Sequence, residues 1–146
     1  MIQDIDVHAV MQKSSARAYT DLVTRPTGRV VREGIERLMA GAAGVAIARV
    51  DFTGVGCMDY SCADEIVAKL LLAWPALLLL RGVTEGHREA IEPVLSGHGL
   101  AVLLEREDGT LDAIGTPVVA AELLERLVAQ RLAGRTPGGT FALTPG

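Results

Sequence analysis

The chain reads as one α/β domain, a mixed central sheet with helices packed on it. Three observations predict this. Strand-like and helix-like hydrophobic patterns alternate in the order strand, helix, strand, helix, strand, helix, hairpin, helix, which is how layered α/β architectures are built. With 146 residues and 49% hydrophobic composition, the chain suits a single core rather than two domains and a linker. Residues 76–80, Ala-Leu-Leu-Leu-Leu, are apolar without a break and of strand length, the pattern of a strand covered on both faces.

Taking the elements in order, Ile2 to Met11 alternates from Ile5 onward and reads as a short first strand. Residues 12–23 read equally as a short helix or an irregular connection. From Arg25 to Ala40, Val31, Ile35, Leu38 and Met39 fall on one helical face, Pro26 suits a first turn and Gly41 closes the helix. Val45 to Phe52 reads as a buried central strand with Val45, Ile47 and Val50 as β-branched bulk. A small-residue corner follows, and then Ala63, Ile66, Val67, Leu70, Leu71 and Trp74 hold helical spacing until Pro75.

After the apolar strand, Glu85 to Leu95 reads as a surface helix ended by Gly97 and Gly99. Leu100 to Glu105 and Leu111 to Ile114 flank Asp108-Gly109, a hairpin signal. Pro117 opens a last helix with Leu123, Leu124, Leu127, Val128 and Leu132 as its stripe. The expected organisation is one domain over 1–134 and an exposed Gly/Pro/Thr-rich extension over 135–146. Phe141 and Leu143 of that extension would dock on the body or on a neighbouring chain, making a homodimer an expectation.

Composition narrows the function. A net charge of −4 argues against a nucleic-acid binder, which needs a basic face to neutralise phosphates. The longest apolar run, Leu70 to Leu80, is bracketed by Lys69 and Arg81 and falls well short of the roughly 20 residues of a membrane span. Asp4, Asp6 and His8 interrupt any export signal, and two cysteines without a framework fit a reducing cytoplasm. His8, His87 and His98 lie on separate elements without ligand spacing, so no metal and no cofactor is expected. Gly54 and Gly56 lack the third glycine and the lysine of a phosphate loop.

Attention therefore falls on the corner at 57–65, where a strand enters a helix at the edge of the sheet that collects ligands in open α/β folds. Asp59, Tyr60, Ser61, Asp64 and Glu65 are its candidate contact residues. Ser61 with Asp64 three residues on also reads as a helix cap, and Asp59 as the residue that turns the loop. Cys57 and Cys62 read as buried thiols, with a redox pair or nucleophile as the sharper alternative. Arg25, Arg29 and Arg32 line one helix and, if its start faces the corner, form an anion site. A catalytic reading would draw Ser61, His87 and Asp59 as nucleophile, base and orienting group.

The run VDFTGVGCMDYSCADEIVAKLL resembles the strand-loop-helix of STAS domains, the fold of bacterial anti-sigma-factor antagonists, through Asp51, Met58, Asp59 and Ser61. It is more similar still to the bacterial STAS-like family of unknown function, through Asp51-Phe52, Gly54-Val55 and Ala63-Asp64-Glu65, with Arg25 to Arg32 resembling its upstream helix. The resemblance spans residues 24–98. It implies a STAS-like sandwich and a non-enzymatic regulatory protein whose serine at 61 is phosphorylated by a histidine-kinase-like ATPase, breaking their complex. Cys62 stands where a glycine usually follows that serine. The alternative is a small-molecule or anion-binding protein, or an enzyme, that uses the same corner with Arg25, Arg29 and Arg32.

Overall fold

The fold is described from a computed structural model, over residues 2–14, 20–74 and 77–144. Four strands, β1 (Ile2–Asp6), β2 (Ile47–Asp51), β3 (Leu77–Arg81) and β4 (Ala101–Glu105), lie side by side in chain order and run parallel. The antiparallel strand β5 (Thr110–Gly115) returns against β4 through the Asp108-Gly109 turn. Beyond it lie two short strands, β6 (Ala133–Arg135) and β7 (Phe141–Leu143), and the sheet order is β1-β2-β3-β4-β5-β7-β6.

Parallel neighbours in chain order, joined by crossovers of one hand, return every connection over one face of the sheet. That face carries α1 (Val7–Ser14), α2 (Arg25–Ala40), a continuous central helix made of α3 (Tyr60–Ala63), a π-helical turn (Asp64–Ala68) and α4 (Lys69–Ala73), and α5 (Glu85–Gly97). The two-residue strand period divides the side chains. Val50, Leu78, Leu80, Val102 and Leu104 enter the large core under these helices, while Ile47, Leu79 and Leu103 face the other side. There α6 (Pro117–Ala129) closes a smaller core through Leu127 and its neighbours. The unbroken leucines of β3 are thus explained by cover on both faces.

Several expectations are corrected. The first strand stops at Asp6, and residues 7–14 are helical. Asp6 accepts the amide of Ala9 at 3.2 Å, and Val7, Val10 and Met11 are buried at helical spacing. Leu38, expected on the inner face of α2, is 44% exposed, and Gly28 and Gly34 help fill that face instead. The central helix starts at Tyr60 and ends at Ala73; Pro75, expected to stop it, and Ala76 lie outside the described residues.

The expected domain boundary at 134 falls inside β6, and the tail is part of the sheet. Strand β7 pairs with both β5 and β6, and Phe141 and Leu143 pack on the smaller core. The apolar tail residues that suggested a homodimer are therefore engaged within the chain.

The β3–α5 turn depends on one residue. Gly82 has φ of +68°, and a Cβ there would lie 2.4 Å from Thr53 Oγ1 and 2.6 Å from Asp51 Oδ1. Any side chain both strains the backbone and collides with the turn after β2. Gly82→Ala is expected to lower unfolding stability by about 2 kcal/mol or more. Urea unfolding checks this, and an unchanged midpoint contradicts the packing described.

Candidate functional site

The corner after β2 is held from three sides. At its start, Asp51 Oδ1 accepts the amide and hydroxyl of Thr53, at 2.9 and 2.6 Å, which bends the chain out of the sheet. In its middle, Leu22 forms a short parallel bridge with Met58, donating its amide to Cys57 O at 2.7 Å and accepting that of Asp59 at 2.9 Å. On the far side, the buried ring of His87 lies 2.6 Å from Gly56 O through Nε2, while Nδ1 accepts the amide of Thr84. An accepting Nδ1 places the proton on Nε2, which donates to the carbonyl.

Asp59 then opens the central helix. Its Oδ1 accepts the amide of Cys62 and the hydroxyl of Ser61, both at 2.8 Å, and its Oδ2 accepts the amide of Thr24 at 2.9 Å. One carboxylate thereby caps α3 and ties it to the residue before α2. Burial works to raise its pKa, but the amides of Cys62 and Thr24 and the Ser61 hydroxyl outweigh it and hold the carboxyl below its ordinary value. This corrects the capping assignment: Asp59 is the cap, Ser61 donates to it, and Asp64 points elsewhere. Asp59 stands three residues before Cys62, a spacing that sequence alone could have flagged.

Behind the cap lies a charged knot. Glu65 is fully buried, yet its carboxylate meets three cations: Lys69 Nζ at 2.8 Å, Arg25 Nη1 at 3.1 Å and Arg32 Nε at 3.3 Å. Arg25 also grips Asp64 at 2.8 Å, Asp64 takes His98 Nε2 at 2.9 Å, and Arg32 reaches Glu36. The knot therefore spans α2, the central helix and the end of α5. Burial raises the pKa of Glu65 and Asp64; Lys69 and Arg25 for Glu65, and Arg25 and His98 for Asp64, overcome that and keep both below ordinary values.

Close approach makes the knot possible. A Cβ on Gly28 would stand 3.0 Å from Cys62 Cα and 3.1 Å from Glu65 Cβ, so only a glycine lets α2 lie this near. The knot sits on the π-helical turn, where Glu65, Ile66, Val67 and Ala68 are all buried in succession. Four consecutive buried residues require neighbours around most of the helix; α2 and α5 flank the turn, and it shares the large core with the strands.

The candidate residues thus separate into two groups. Tyr60 is 56% exposed and Ser61 is half-buried beside it, so both face outward. Asp59, Asp64 and Glu65, read as contact residues, have their carboxylates engaged inside the chain. Arg25 and Arg32 are brought together on Glu65, so the anion they hold is the chain's own, whereas Arg29 stands exposed and apart. Ser61 and Asp59 touch, but His87 has both nitrogens occupied by backbone groups, the amide of its own helix cap Thr84 and the carbonyl of Gly56, so the drawn triad is not assembled.

Cys62 is buried, and its thiol donates to Thr24 O at 3.1 Å; burial, followed by the charge of Asp59, pushes its pKa up to about 12. Such a thiol stays protonated and unreactive near neutral pH. Cys57, by contrast, is exposed. Among the described residues no group of three His, Cys, Asp or Glu side chains is placed to hold a metal ion. No helix among them is long and apolar enough to cross a membrane. No protein-family model, curated protein or solved structure matches this chain.

Removing the charge of Glu65 leaves three cations around a neutral amide, and breaking a buried pair in this way costs about 3–5 kcal/mol. Glu65→Gln is expected to destabilise by that order in urea unfolding, and a loss near zero contradicts the knot. The pH dependence follows from sign. The folded pKa values of Asp59, Asp64 and Glu65 lie below their ordinary values, so the stability they add is complete above the ordinary carboxylate range and is lost as pH falls from there through the lowered folded values. Below about pH 5, wild-type stability should fall more steeply than that of Glu65→Gln; parallel curves refute the assignment.

Proposed function

We propose that this chain is a non-enzymatic regulatory module with a STAS-like sandwich, and that it binds a protein partner through the outward side of the 57–65 corner. The observation that carries this reading is Tyr60, an exposed aromatic on a turn held by the Asp59 cap and backed by the Glu65 knot. Aromatic side chains on pre-organised backbone lose little freedom on binding and are favoured anchors of interfaces. A strand leading through a tethered corner into a buried helix, with α1, α2 and α5 on the same face, supports the STAS-like comparison.

The partner in this reading is an ATPase of the histidine-kinase-like class that phosphorylates Ser61. The chemistry gives such a modification a local consequence. The Ser61 hydroxyl donates to Asp59 Oδ1, and a phosphate ester has no hydrogen to donate there. It adds close to two negative charges beside the Asp59 carboxylate, whose retreat frees the amides of Cys62 and Thr24. Phosphorylation therefore loosens the turn that carries Tyr60 and repels an acidic partner surface. The module works in the cytoplasm, a placement supported by the unpaired Cys57 and Cys62.

Calorimetric titration with a purified ATPase of this class, together with mass spectrometry of Ser61, tests the proposal. Tyr60→Ala and Ser61→Asp should each weaken binding by about tenfold or more, which is about 1.4 kcal/mol. Wild-type strength in both variants, or a wild-type chain that neither binds nor is modified, overturns it.

A further inference from the structure

Away from the Tyr60 surface, the carboxyl edge of the sheet holds a cavity of about 530 Å³ that the regulatory reading does not use. It lies between the loops leaving β2, β3 and β4, over 52–55, 81–84 and 104–107. Pockets of this size hold small ligands, and the carboxyl ends of parallel strands are where open α/β sheets collect them. Gly82 keeps the β3 loop close against the β2 turn, so two of the three walls are fixed to each other.

The two arginines lining the cavity are committed to different degrees. Arg49, whose Nε holds Asp4 at 2.6 Å, donates its Nη1 to Glu105, at 3.1 and 3.4 Å from the two oxygens, and so engages that carboxylate from below. Arg106 is committed to Asp112 at 2.8 Å. The Arg81 side chain, about half exposed, forms an ion pair with Glu105 at 3.9 Å and makes no side-chain hydrogen bond among the described residues. Its guanidinium therefore keeps its N–H donors open to a closer acceptor, at the mouth of a cavity whose apolar wall includes Val55, Val83 and Leu104. Thr84 adds a hydroxyl whose oxygen accepts the His87 amide and whose hydrogen is uncommitted.

We infer that this cavity is a binding site for a small organic monocarboxylate with an apolar body. A carboxylate matches the bidentate geometry of the Arg81 fork, and its hydrocarbon part covers the apolar wall. Glu105 and Glu107 in the same lining set the charge limit. A single carboxylate can take the hydrogen bonds of Arg81, whereas each further negative charge, as on inorganic phosphate, adds repulsion from these two carboxylates. The site shares no residue with the corner surface, so its test stands independently of the partner proposal.

Amide spectra of the isotopically labelled full chain, titrated with acetate, hexanoate and inorganic phosphate, test this. Hexanoate should shift the amides of Gly54, Gly82 and Val83 saturably and bind more tightly than acetate, while phosphate leaves them in place. Arg81→Gln should weaken hexanoate by about tenfold or more, and Glu107→Gln, which alters an exposed carboxylate, should bind it at least as tightly as wild type. The inference is overturned if no carboxylate saturates, if phosphate binds as well as hexanoate, if Arg81→Gln binds unchanged, or if Glu107→Gln binds more weakly. Should Arg81→Gln not fold, the wild-type ligand series and Glu107→Gln decide.

Discussion

A carboxylate without solvent around it is the constraint on which the rest of this structure depends. Leaving Glu65 buried and unpaired would cost several kcal/mol, so the fold must bring cations to it, and the three that arrive come from two different helices. Bringing Arg25 and Arg32 that near requires α2 to pack against the central helix at backbone distance, which Gly28 permits. The same approach places Thr24 within reach of Asp59. The buried charge and the helix cap are thus two ends of one tether, and the corner is positioned by both.

This division of labour separates what fastens the corner from what it shows. Asp64, Glu65, Arg25 and Arg32 satisfy one another, Asp59 is held by Thr24, Cys62 and the half-buried Ser61, and Tyr60 projects beyond them. A partner that meets Tyr60 encounters a prepared surface, while a change at Ser61 acts directly on the cap. The cavity over β2, β3 and β4 is a different environment, where Arg81 has only a long ion pair to Glu105 while Arg49 and Arg106 are held at shorter distances. Both sites border the loop that leaves β2, one using its first residues and the other its last.

Local pattern made much of this legible in the sequence. Helix α2, the leucines of β3 and the Asp108-Gly109 hairpin each carry their signal within a few residues, and all lie where the pattern puts them. The strand expected over residues 2–11 runs too long because Ile5, Val7, Ala9 and Met11 alternate, whereas Val7, Val10 and Met11 also keep helical spacing and the Asp6 cap decides for the helix. The tail could not be read as strands, since β7 is stabilised by pairing with β5 thirty residues earlier. In the site, the positions were legible but the roles were not. A glutamate in a helix reads as a solvated face; its burial and its arginine partners are set by tertiary packing, and only the Lys69 contact is local.

The central claim is that the corner is immobilised by the tether between α2 and the central helix. Native-state hydrogen exchange of the Thr24 and Cys62 amides, the two that Asp59 accepts, measures this most directly. Protection close to that of the core amides of β3 is the predicted result. Exchange at the rate of an unstructured peptide would show the turn to be loose and contradict the account.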